Sequence, residues 1–177
     1  MMFKKLFNFS EKKDYWLILF ILSICLEVSA LFYQYVLDYL PCVLCIHVRI
    51  WVLGLFIISL SGILFYKSWP VLLSLHVLMT GVMAGLFERS YQLLGTERGF
   101  IYGSCSMESG LPNWFALDEW MPLLFKVWEP CGYTPELFFG VTMAEALIVL
   151  SFSLLIISSI FTITLIVNRL IKKHPLE

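Results

Sequence analysis

The sequence predicts an all-α integral membrane protein: a bundle of four transmembrane helices with a long outer loop that contains a short interfacial helix. Three observations lead there. Hydrophobic residues make up 60% of the 177-residue chain, against roughly 45–50% in a soluble domain. Four apolar runs are long enough to cross a hydrocarbon core of about 30 Å, which takes roughly 20 residues of helix. Lysine and arginine gather at alternate ends of those runs, and such residues favour the cytoplasmic side.

The runs cover residues 15–35, 43–66, 69–87 and 143–167. Lys4, Lys5, Lys12 and Lys13 precede the first, Lys67 lies in the turn between the second and third, and Arg169, Lys172 and Lys173 follow the fourth. Both termini are therefore assigned to the cytoplasm, with outer loops at about 34–41 and 88–142. The long loop bears Glu88, Glu97, Glu108, Asp118, Glu119, Glu129 and Glu136 against Arg89, Arg98 and Lys126, which agrees with an outer location. The first run also imitates a secretory signal, with Val28-Ser29-Ala30 as the cleavage site. Its length and the acidic Glu27 beside that site favour an uncleaved helix. No linker-like stretch or repeat divides the chain, so residues 1–177 read as one membrane domain. A formal net charge of −1 leaves no basic surface able to neutralise a run of phosphates, which excludes a nucleic-acid partner.

Between Leu111 and Trp128 the long loop interleaves Trp114, Phe115, Trp120, Leu123, Leu124, Phe125 and Trp128 with Asp118, Glu119 and Lys126. Aromatic segments of mixed polarity suit the membrane–water interface. Pro122 opposes one uninterrupted helix, so the segment reads as a short helix or a pair of turns lying on the membrane. A loop packed on its own helices fits the composition equally well.

Of five cysteines, Cys42, Cys45, Cys105 and Cys131 fall at or beyond the outer boundary. In an oxidising outer compartment such thiols form pairs. Cys25, inside the first run, reads as a small packing residue. Pro41-Cys42-Val43-Leu44-Cys45 opens the second helix. A helix start and the Cys-x-x-Cys spacing both favour the thiolate, so this pair looks built to exchange, with a structural staple and a metal site as alternatives. Zinc sites tend to repeat the Cys-x-x-Cys knuckle and c-type haem needs histidine directly after the second cysteine. Neither condition is met, since Ile46 precedes His47, and no metal is expected. Cys105 and Cys131 fit either a loop staple or a second exchanging pair.

Arg49 follows Cys42 and Cys45 at i+7 and i+4, on one stripe of the helix. It lies roughly 10 Å deeper than Cys42, where a charge is costly and marks function by default. A guanidinium there suits a thiolate, a bound anion or the oxygen of a membrane-dissolved redox carrier. Glu27 lies at a similar depth in the first helix, which predicts that the two pair, with a neutral Glu27 bonded to a backbone carbonyl as the alternative.

The chain resembles the DsbB family, bacterial inner-membrane enzymes that reoxidise the periplasmic disulfide donor DsbA and pass electrons to quinone. The resemblance rests on Leu26-Glu27 with Ala30-Leu31 and Gln34, on Pro41-Cys42-Val43-Leu44-Cys45-Ile46 with Arg49, and on Cys105, Leu117-Asp118 with Trp120 and Pro122, Cys131, and Gly140 with Met143. It implies that Cys105, paired with Cys131, is attacked by the donor thiolate, and that Cys42/Cys45 reoxidises that pair. It also implies that Cys45 and Arg49 meet the quinone, ubiquinone or menaquinone. The chain departs from the family pattern in Phe100-Ile101-Tyr102-Gly103-Ser104 before Cys105, in His47-Val48, in Gln92 and in Ala144. The expected activity is thus that of a thiol:quinone oxidoreductase serving a DsbA-like partner and the membrane quinone pool. Two alternatives stand beside it: a paralogue dedicated to one donor, and a nonenzymatic membrane scaffold with two structural disulfides.

Overall fold

The structure is a computed structural model that describes residues 10–101, 109–129, 134–138 and 140–173. Four long helices make the bundle: α1 (Lys13–Tyr35), α2 (Val43–Phe65), α3 (Trp69–Glu97) and, last in the chain, α6 (Met143–Lys173). All four are long and apolar enough to cross a membrane. Between α3 and α6 come a 3₁₀ turn (Asn113–Phe115), the single-turn helices α4 (Leu117–Trp120) and α5 (Pro122–Phe125), and a small antiparallel pair, β1 (Glu136–Phe138) with β2 (Val141–Thr142).

Packing runs α1 on α2, α2 on α3 and α3 on α6. The buried positions of α3 (Leu72, Leu75, His76, Met79, Met83, Leu86, Ser90 and Leu93) recur every three or four residues and form one face. Two aromatic side chains set the spacing of the helices. Gly62 of α2 faces the Trp16 indole so closely that a β-carbon there would meet the ring at 2.1 Å, and at Gly85 of α3 it would meet the Trp51 ring at 2.4 Å. α1 and α6 touch near the chain termini, where the Tyr15 and Phe161 rings meet edge to face at 5.0 Å. They do not pair along their length.

The third helix is ten residues longer than the apolar run that ends at Phe87. Glu88, Arg89 and Gln92 interrupt that run but bond among themselves: Gln92 Nε2 donates to Glu88 Oε1 at 3.0 Å and Arg89 to Gln92 Oε1 at 2.9 Å. The buried stripe continues beneath them through Ser90 and Leu93, so apolar length alone underestimates the helix. It stops at Gly99, whose φ of +73° suits glycine. The amides of Gly99 and Phe100 turn back onto the carbonyls of Thr96 (3.3 Å) and Gly95 (3.0 Å). The last helix starts with a reciprocal cap. The Thr142 amide donates to Glu145 Oε2 at 3.1 Å, and the Glu145 amide to Thr142 Oγ1 at 3.3 Å. Glu145 also pairs with Arg98, which ties the start of α6 to the end of α3.

The loop segment 111–128 docks on the bundle. Pro122 opens α5 as its first residue, and Met121 breaks the chain from α4. Leu117 and Phe125 are buried against Ile46 of α2, while Trp114, Trp120 and Leu123 stay exposed.

Candidate functional site

Cys42 is the cap residue of α2. Its backbone is extended, and its sulfur accepts a hydrogen bond from the Cys45 amide at 3.2 Å. The same side-chain position that serines and aspartates use to cap helices is thus filled by a sulfur. Cys42 is buried and Cys45 is partly buried. A stretch of the long loop lies along this helix start. The amide of Trp128 donates to the Pro41 carbonyl at 3.1 Å, and Glu129 forms an isolated bridge with Cys42. Glu129 stands two residues before Cys131 in sequence. Cys105 and Cys131 themselves lie outside the described residues. Cys25 is exposed on the outside of α1.

Arg49 is 5% exposed and its guanidinium is held by three acceptors from two segments distant in sequence. It donates to Gln34 Oε1 at 2.6 Å, to the Leu124 carbonyl at 2.9 Å and to the Ala30 carbonyl at 3.0 Å. Ala30 and Gln34 are one turn apart on α1, and Leu124 belongs to α5. The cation therefore fastens the docked loop to two helices. The neighbouring Leu123 carbonyl adds to the same seam, accepting from the Tyr35 hydroxyl and from Gln34 Nε2. Gln34 has no role in a reading by helical stripe, because its partner sits on another helix. Its signal in the sequence is an amide at the polar end of an apolar run, one turn from a small residue.

The expected Glu27–Arg49 pair does not form. Among the described residues, the ion pair within 4 Å is Arg98–Glu145, and both Glu27 oxygens are buried without a hydrogen-bond partner. Matching depths were not enough. Side chains on a helix tilt toward its N-terminus, and α1 and α2 run in opposite directions. Arg49 therefore reaches toward the cysteines, to Gln34, and Glu27 leans the other way.

Glu27 and Arg49 nevertheless line one cavity of about 480 Å³. It occupies the wedge between α1 and α6, with Cys45, Val48, Arg49 and Val52 of α2 along one wall and Met143, Ala146, Leu147 and Leu150 of α6 opposite. Tyr33, Tyr39, Pro41, Glu129 and Leu137 close the cysteine end. The volume is within the range of small-ligand sites, and a mainly apolar lining with a few convergent polar groups is their usual form.

Four membrane-length helices, with a cysteine pair at a helix start above a buried arginine and an apolar cavity, define a multi-pass membrane protein of thiol chemistry. Comparison with known proteins narrows this. The family described as "Disulfide bond formation protein DsbB" matches residues 12–161, and the chain belongs to that family. It is 35% identical to the disulfide bond formation protein B of Shewanella denitrificans over 144 residues, 80% of this chain and 81% of the relative. The protein of the same name from Shewanella frigidimarina is 33% identical, with 78% and 82% covered. That of Histophilus somni is 31% identical, with 81% of each chain covered. Disulfide formation by an oxidoreductase, in company with a thiol oxidoreductase partner, is the function that membership carries.

Proposed function

We propose that the protein oxidises the dithiol of a periplasmic DsbA-like donor and passes the electrons through Cys105/Cys131 and Cys42/Cys45 to a membrane quinone. In this reading it sits in a bacterial inner membrane, with both termini cytoplasmic and the cysteine pairs on the periplasmic side. The carrying observation is that Cys45 and Arg49 share the wall of one apolar cavity. A flat apolar ring with an oxygen at either end fits that lining. A bound quinone supplies two-electron acceptor chemistry, which protein side chains lack.

The chain's own residues do the rest. The donor's thiolate attacks the Cys105 sulfur, and a mixed disulfide forms as the Cys105–Cys131 bond breaks. The second donor thiol resolves it and leaves Cys105 and Cys131 reduced. Exchange then moves the dithiol to Cys42/Cys45. The bridge between Cys42 and Glu129 supports this order, because it holds the chain leading to Cys131 beside the first pair. Arg49, fixed by Gln34 and two carbonyls, supplies a permanent cation on the cavity wall for an anionic sulfur or oxygen. The wedge between α1 and α6 suits a ligand arriving through the lipid.

The test mixes purified protein with a reduced DsbA-like donor and a soluble quinone and follows quinone absorbance. Donor-dependent bleaching that needs all four cysteines is the expected result. A scaffold with structural disulfides gives none. With the donor supplied in its disulfide form, Cys131→Ser should in addition trap a mixed disulfide, because the Cys105 thiolate breaks the donor's S–S bond and no Cys131 thiol is left to complete the exchange; trapping at Cys42 instead would reverse the order of the relay.

A further inference from the structure

A second cavity, of about 330 Å³, opens at the cysteine end of α1, between the α1–α2 turn and the docked segment. Asp38 and Lys126 both line it, with Tyr35, Leu40, Leu123 and Trp128 around them. The two charges do not pair with each other: among the described residues the ion pair within 4 Å is Arg98–Glu145. Each charge has a setting of its own. Asp38 stands just past the end of α1, where the last carbonyls of a helix carry partial negative charge and favour a cation. Lys126 Nζ stands over the Trp128 ring, 4.5 Å from its centroid, which keeps the ammonium on its side of the opening. The cavity also lies where the apolar span of α1 ends, and tyrosine and tryptophan settle at that level of a membrane. Below Tyr35 on the same face of α1, Val28, Ile24, Ile21 and Leu17 are exposed. An opening with an acid on one side and a base on the other thus stands above an apolar strip.

We propose that this cavity binds the headgroup of a phospholipid that carries both a phosphate and a primary ammonium, as phosphatidylethanolamine does, with the acyl chains along the exposed face of α1. Lys126 donates to the phosphate oxygens, and the lipid ammonium donates to Asp38. A headgroup with one charge of each sign leaves neither side chain uncompensated. A choline headgroup has no N–H to give Asp38, and a glycerol headgroup brings no cation. A water-soluble zwitterion would lack the chains that the apolar strip receives. Bound there, the lipid braces the seam that fixes Arg49. Gln34 lines this cavity as well and accepts from Arg49, and the Leu123 carbonyl accepts from Tyr35 and Gln34. The assignment does not depend on which acceptor fills the larger cavity.

The experiment strips the full chain of lipid in detergent and titrates it with dioleoyl phosphatidylethanolamine, phosphatidylcholine or phosphatidylglycerol, while native mass spectrometry counts the bound lipid. The ethanolamine lipid should bind about tenfold more tightly than either of the others, the weight of one charge-assisted hydrogen bond. Asp38→Asn should bring it down to the level of the choline lipid. Lys126→Gln should weaken the ethanolamine and choline lipids alike, since both offer the phosphate. Equal binding of the three lipids by the parent, or an unchanged ethanolamine preference in Asp38→Asn, overturns the proposal. O-phosphoethanolamine, the headgroup without chains, should compete poorly; competition as strong as that of the whole lipid makes the ligand a soluble zwitterion and overturns the proposal too. If both variants keep the preference but lose affinity for a reduced DsbA-like donor, the cavity belongs to that protein and the lipid assignment falls. Should a variant fail to fold, the parent's ranking of the three lipids decides on its own.

Discussion

The two ends of the bundle bury polar side chains in opposite ways. At the end near the chain termini, His76 is fully buried, stacked on Tyr15 at 5.3 Å and tilted against Trp16 at 4.8 Å. Its Nε2 bonds the Ser10 carbonyl at 3.2 Å, and its own carbonyl accepts from Thr80 and Thr162. The indole of Trp16 fills the space that Gly62 leaves. At the cysteine end the buried polar groups include Gln34 and Arg49, and a cavity of about 480 Å³ remains beside Arg49 and Glu27. Buried polar atoms without a partner occur at both ends, at Trp16 Nε1 and His76 Nδ1 as well as at Glu27. An orphan atom alone is therefore not the mark of a site. Beside Trp16 the volume is taken by packed rings, and such an atom is a cost of the packing. At the cysteine end the cavity stays open beside Cys45 and Arg49.

Substitutions at the two ends should separate function from stability. The largest effect expected is from Cys45→Ser, which should reduce donor-dependent quinone bleaching to background. Its melting temperature in detergent should hardly move, because the change is nearly isosteric at a partly buried site. Residual turnover near the parent's rate would remove Cys45 from the relay. Trp16→Ala should do the reverse. Removing a fully buried indole costs about 3–5 kcal/mol, read as a lower thermal midpoint, while quinone affinity in the folded fraction stays unchanged. A fall in affinity with no loss of stability would show that the packed end also shapes the ligand site.

Arg49→Met joins the two behaviours. It strands Gln34 and the carbonyls of Ala30 and Leu124, and an unsatisfied buried group costs about 1–3 kcal/mol. The docked segment 117–125 should then exchange its amide hydrogens faster, and quinone reduction should fall. Arg49→Lys should restore only part of both, since an ammonium lacks the planar fork that reaches several acceptors. Quinone kinetics in Arg49→Met equal to the parent's would reduce Arg49 to a structural fastener. The smallest effect expected is from Tyr35→Phe. The lost hydroxyl bond to the Leu123 carbonyl is worth about 1 kcal/mol, visible as faster exchange around Leu123 with turnover intact. A large loss of turnover would instead give that seam a part in the chemistry.

What the sequence by itself determined is what lies within one segment. The four spans follow from apolar length, and the cysteines with Arg49 share a stripe because helical periodicity is local. The docked loop was legible in part: Pro122 sets the break between α4 and α5, but nothing local says that Leu117 and Phe125 pack on Ile46. Two features needed the tertiary structure. The third helix runs on from Phe87 to Glu97 because its polar residues bond to one another over a stripe that stays buried against its neighbours. Arg49 meets Gln34, Ala30 and Leu124 in preference to Glu27 because residue counting along a helix gives depth alone. Which residue faces a neighbour depends on the rotation of each helix, and where a side chain reaches depends on the direction in which that helix runs. Those are relations between segments, and the packing of α1, α2 and the loop against one another decides them.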